Sequence, residues 1–116
     1  MPSLSELSKF NEVSIEIFDK EISMEFTFRC TLPHQRLLTE AINAAQKKGG
    51  KNLDSTTWAK KLFIPCVKSW SLDEDCNDEN KNAFFEDDAT LNRIAQNVAM
   101  ELMNKAQGRE KAEEGN

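Results

Sequence analysis

Histidine is almost missing from this sequence: 116 residues carry one, with three cysteines, three prolines and four glycines. A lone His34 and the lack of any Cys-x-x-Cys spacing leave zinc unsupported. Cys30 lies four positions before His34, but a strand end and a Leu-Pro step separate them. The third orienting group and the oxyanion site of a cysteine nucleophile are not visible either. No glycine-rich loop follows a strand, since Gly49-Gly50 follows a helix, so a phosphate cradle is unsupported. There is no run of about 18 apolar residues, which excludes a membrane-spanning helix of ordinary length. The opening segment, MPSLSELSKF, has no basic region followed by an apolar block, so no secretion signal is expected. Cys30, Cys66 and Cys76 are odd in number and widely spaced, and they read as free thiols in a reducing cytoplasm. The net charge of −5 lacks the basic excess of a general nucleic-acid binder. These absences together predict a cytoplasmic, non-catalytic protein with no cofactor, no nucleic-acid partner and no membrane partner.

What is present is charge, and it is segregated. From Arg36 to Lys68, seven bases face two acids, a net +5. From Asp73 to Asp88, in DEDCNDENKNAFFEDD, eight acids face Lys81 alone, a net −7. The simpler reading is two solvated surfaces; the sharper one is a polar monomer suited to contacts between copies, a homo-oligomer.

The apolar residues change period along the chain. Ser3 and Glu6 have capping-box spacing, and Leu4, Leu7 and Phe10 line one side of a short helix. Val13, Ile15 and Ile17 then alternate with polar residues, as do Ile22, Met24, Phe26, Phe28 and Cys30. An Asp19-Lys20 turn would pair Ile17 with Ile22, Ile15 with Met24 and Val13 with Phe26. Pro33 suits the first turn of a helix, in which Leu38, Ala41, Ile42 and Ala45 follow at helical spacing. Lys47 and Lys48 would close it and Gly49-Gly50 stop it. Asp54 is a good N-cap for a second helix, where Trp58, Leu62, Cys66 and Trp70 recur every four residues, with a kink or break near Pro65. Leu91, Ile94, Ala95, Val98, Leu102 and Met103 stripe a last helix. From Gln107 onward no apolar anchor beyond alanine remains. The expected organisation is one α+β domain over residues 1–106, an N-terminal antiparallel hairpin covered by three to four helices, with a disordered tail over 107–116.

The acidic stretch tests as a calcium loop and fits poorly. The better frame places Asp75, Asn77, Glu79 and Glu86 at ligand positions, but Asn80 stands where the turn glycine belongs and Asn82 where an apolar residue belongs. Those four residues are weak cation candidates. The reading that accounts for more of the stretch is a solvated loop with Phe84-Phe85 dipping into the core and Asp87 or Asp88 capping the last helix. Trp58 and Trp70 read first as core and second as interface anchors. Met100 and Met103 suit either a core or an adaptable surface.

The segments MEFTFRCTLP, WAKKLFIPCVKSWSLDEDCND and FFEDDATLNRIAQNVAMELMNK, in that order, resemble the small tail assembly chaperones of long-tailed bacteriophages and prophages. The likeness covers residues 13 to 106 and includes a Val-x-x-Trp step at Val67-Lys68-Ser69-Trp70. The chain lacks the glycine that related sequences often have in the loop after that tryptophan. The resemblance implies a protein that binds the helical tape-measure protein, keeps it soluble until tail-tube subunits polymerise around it, and is absent from the virion. It also implies a frameshifted longer form and tail-tube subunits as further candidate partners. Trp58, Leu62, Trp70, Met100 and Met103 are the expected partner-binding residues. Two other readings stand beside it: a small phage-encoded regulatory or inhibitor protein, and a weak cation-binding module.

Overall fold

The computed structural model describes residues 3–46 and 54–114. The order is α1 (Leu4–Ser8), a 3-10 turn (Lys9–Asn11), β1 (Glu12–Asp19), β2 (Met24–Thr31), α2 (Gln35–Ala45), α3 (Ser55–Cys66), β3 (Val67–Trp70), α4 (Asp78–Asn82), a second 3-10 turn (Ala83–Phe85) and α5 (Ala89–Glu114). The class is α+β: an N-terminal hairpin extended to a three-stranded antiparallel sheet, with helices packed on it. The inward strand residues Ile15, Ile17, Phe26, Phe28 and Cys30 are buried. Ser14, Glu16, Phe18, Glu25 and Arg29 face solvent on the other side, the two-faced pattern of a half-covered sheet.

The hairpin forms where period-two alternation predicts it, but in a different register. Ile17 pairs with Phe26, Ile15 with Phe28 and Val13 with Cys30, not with Ile22, Met24 and Phe26. The slip is even, so the buried face is unchanged. Its cause is Asp19, which an Asp19-Lys20 turn would leave in solvent. The Asp19 carboxylate instead accepts the amides of Glu21 at 3.0 Å and Ile22 at 3.4 Å. It also takes two hydrogen bonds from Arg93 of α5, at 2.9 and 3.1 Å. These bonds hold a four-residue connection in which Ser23 takes a positive φ of 53°. Ile22 and Met24, expected in the core, lie at this tip, 40% and 53% exposed.

Arg93, hydrogen-bonded to Asp19, holds that carboxyl below its ordinary value of 3.8, against the opposing effect of desolvation. A carboxylate whose folded pKa is depressed stabilises the fold above its unfolded pKa, and that contribution is lost as pH falls through the folded value. Asp19→Asn is therefore expected to lower the melting temperature at neutral pH. The deficit should shrink once the pH passes below the ordinary carboxylate value and vanish in stronger acid. Equal deficits at neutral pH and in strong acid would remove the charge from the account.

The second helix ends earlier than its four-residue apolar spacing suggests. α3 stops at Cys66, one residue past Pro65, and the chain passes directly into β3. Pro65 withholds the amide that the Lys61 carbonyl needs. Trp70 thus sits on a strand opposite Phe28, not on the helix, and a bulge at Lys68 shifts the register between Arg29 and Cys30. Trp70, Phe28, Phe63, Phe84 and Phe85 make one aromatic cluster with ring centroids 5.0–6.4 Å apart. This cluster, Val67 and the α5 residues Ile94, Ala95, Val98 and Leu102 form the main core. A smaller core joins α2, α3 and α5 through Leu38, Ala41, Ala59, Leu62 and Ala99.

Two other expectations shift. Pro33 precedes α2 instead of opening it: His34 is the N-cap. Ile42 is 39% exposed, outside the buried stripe of Leu38, Ala41 and Ala45. Lys47, Lys48 and Gly49-Gly50 lie outside the described residues. α5 runs past Gln107, where the sequence places the start of a tail, to Glu114.

Candidate partner-binding groove

Two capped helices build the groove. The His34 ring accepts the Leu37 amide at its Nδ1, 3.1 Å away, and opens α2. Asp54 opens α3: its Oδ1 accepts the amides of Thr56 and Thr57, and its Oδ2 accepts the Thr57 hydroxyl at 2.7 Å. Where the helices meet, Ala41 and Ala59 are fully buried. With only a methyl each, they let the two backbones approach closely. Leu38, Leu62 and Ala99 seal the back of this contact.

Its front is open. A groove of about 590 Å³ runs between Leu37 and Glu40 of α2 and Thr57, Lys60, Lys61, Ile64 and Pro65 of α3. Leu37, Ile64 and Pro65 give it an apolar floor; Lys60 and Lys61 are exposed along α3. Glu40 is paired with Arg36 at 3.3 Å, and no ion pair to either lysine occurs among the described residues. The foot of the groove is also positive. Lys68 Nζ donates to the Pro65 carbonyl and Lys81 Nζ to the Ile64 carbonyl, each at 3.0 Å. Both cations meet the negative end of the α3 dipole. Such a surface suits an amphipathic segment that brings apolar side chains and acids.

The five expected partner-binding residues are not one patch. Trp58, Leu62 and Met103 do come together around the smaller core, but Leu62 is fully buried there and the other two are half-buried. Leu62 is thus a packing residue, with no surface to offer a partner. Trp70 belongs to the aromatic cluster, and its indole N–H donates to the Glu74 carbonyl at 2.7 Å. Met100 lies apart, 49% exposed on α5. The groove residues Leu37, Lys60, Lys61, Ile64 and Pro65 escaped the sequence reading. The Lys60-Lys61 pair on the polar side of an amphipathic helix was the available signal.

The acidic stretch is more ordered than a loop. Asn77 caps α4, its Oδ1 accepting the Asn80 amide at 2.8 Å. Asn80, needed in a turn conformation by the calcium frame, is inside that helix, and its side chain donates to the Asp75 carbonyl. Phe84 is buried, Phe85 is half-buried, and Asp88 Oδ1 accepts the Leu91 amide, as expected of the helix cap. Asp75, Asn77, Glu79 and Glu86 are all exposed. Among the described residues no group of three or more His, Cys, Asp or Glu side chains is placed to hold a metal.

Cys30 and Cys66 are buried and Cys76 is half-buried. All three are free. Burial pushes the Cys30 thiol up to about 12 and the Cys66 thiol to about 11, and it raises Cys76 as well. The thiolate is the nucleophile, and burial suppresses it. No described helix is long and apolar enough to cross a membrane. No family model matches the chain, and no curated protein or solved structure matches it either.

Proposed function

We propose that this protein is a non-catalytic chaperone of phage tail assembly that binds the tape-measure protein and keeps it soluble in the host cytoplasm. The observation that carries the reading is the α2–α3 groove, with its apolar floor and lysine rim. A tape-measure protein is a long helical client with exposed apolar stripes, and such stripes need a covering surface until the tube forms around them. In this reading a client helix lies on Leu37, Ile64 and Pro65, with its acids toward Lys60 and Lys61. Tail-tube subunits are a further candidate partner. Self-association belongs to the same proposal: the acids from Asp73 to Asp88 are exposed, as are Lys60, Lys61 and Lys68. Exposed ion pairs contribute only about 0–1 kcal/mol each, so an apolar contact must accompany them.

The test is copurification with a fragment of a phage tape-measure protein. Lys60→Glu with Lys61→Glu changes two exposed side chains and leaves both cores intact. The wild type should retain the fragment, and the double variant should lose at least about tenfold in affinity. Failure of the wild type to retain it would overturn the function. Equal retention by the variant would move the client off this groove.

A further inference from the structure

The strand order β1-β2-β3 leaves β1 with no neighbour on its second side among the described strands. That edge is eight residues long and pairs with β2 without a bulge. Sheets normally blunt such an edge with proline, charged side chains, an inward-pointing charge, a bulge or a covering element. β1 reads EVSIEIFD: it has neither proline nor lysine, its inward-pointing charge, Asp19, is its last residue and is paired with Arg93, and Glu12 and Glu16 make the edge acidic. α5 meets β1 through the Arg93–Asp19 pair and does not fill the space beside it. A trough of about 240 Å³ remains, lined by Glu16, Ile17 and Phe18 of β1 and by Asn97, Met100, Glu101 and Asn104 of α5. Ile17 points into the core, whereas Glu16 and Phe18 point to the opposite face. Residues of both faces can line one trough only where the edge of the strand lies between them. The α5 residues follow helical spacing and form one stripe beside the buried Ile94, Val98 and Leu102.

We propose that this edge is a strand-acceptor site, taking an extended segment of a partner protein in which apolar residues alternate with lysine or arginine. The backbone of the incoming segment would pair with β1 and lengthen the sheet. Its apolar side chains would lie on the α5 side and cover Met100, 49% exposed, and its basic ones would lie on the outer face beside Glu16. The sign of the charge follows from the lining: Glu16 and Glu101 are its only ionisable groups, and both are acids. A second copy's β1 is a poor occupant because it brings the exposed Glu12 and Glu16 to an acidic trough. The site is separate from the α2–α3 groove and shares no residue with it.

The experiment titrates the full chain with a capped octapeptide alternating valine and lysine, and with its valine–glutamate counterpart. Amide exchange and methyl shifts locate the binding. The lysine peptide should bind saturably, protect amides of β1, shift the Met100 methyl and bind at least about tenfold tighter than the glutamate peptide, which is about 1.4 kcal/mol. Glu16→Lys with Glu101→Lys, both at exposed positions, should invert that order. Three results would overturn the proposal: no saturable binding of the lysine peptide, protection confined to residues 73–88, or unchanged selectivity in the charge-reversed protein. Because no tape-measure fragment is used, the outcome is independent of the chaperone reading.

Discussion

Phe63→Ala should destabilise the protein by about 3–5 kcal/mol, the cost of emptying a large aromatic from a closed core. Phe63 is fully buried. Its ring lies 5.9 Å from Phe28, 5.0 Å from Phe84 and 5.4 Å from Phe85, by centroids. These partners come from β2 and from the second 3-10 turn, so one side chain joins three separate stretches of chain. Collapse into the vacated space is hindered because Phe28 also packs on Trp70, and Trp70 on Phe84. Against a total stability of about 5–15 kcal/mol, the loss is a large share. Chemical denaturation checks it: the midpoint should fall with the slope unchanged. Phe63→Leu should recover part of the loss. A cost below about 1 kcal/mol for the alanine variant would mean that the cluster repacks freely.

Lys81→Ala comes next, with an expected cost of about 2–3 kcal/mol. Lys81 is the one base in the acidic stretch, and only 8% of its surface is exposed. Its neighbours in sequence suggest a role in balancing charge. The structure gives its ammonium to the Ile64 carbonyl at the end of α3. Truncation removes a charged donor from a partly buried acceptor and strips the methylene packing of the stem. Lys81→Met keeps most of that stem and should separate the two effects, since it loses the hydrogen bond alone. If both variants melt with the wild type, the contact does not hold α4 against α3.

The period of the apolar residues made the hairpin and α5 legible, because both bury one face against a single layer. Register was not legible. It depended on Arg93, which lies 74 residues from Asp19, and local alternation carries no record of a distant partner. β3 was hidden for a related reason. Trp58, Leu62, Cys66 and Trp70 fit a helix by spacing, and only Pro65 contradicted it. Four residues are too few for a period-two signal to outweigh that pattern. Within the candidate groove the apolar residues were visible one by one. Their assembly was not, since Leu37 and Ile64 meet only once α2 has folded back on α3. Asn77 shows the reverse case: a residue typical of both calcium loops and helix caps becomes a cap because Asn80 is helical.

The direct passage from Cys66 at the end of α3 to Val67 at the start of β3 makes the two walls of the groove mechanically unequal. No connecting residues stand between them, so α3 is carried by the sheet as a single body. Lys68 of β3 and Lys81 of α4 each donate to one of its last carbonyls. α2 is held differently: it rests on α3 through alanine methyls and Leu38, and the Asp54 amide that opens α3 donates to its last carbonyl, Ala45, at 2.9 Å. The wall made by α2 is therefore fastened at both ends, to β2 through Leu32–His34 and to α3 through the Asp54 amide, and the alanine contact between the helices sets the width of the groove.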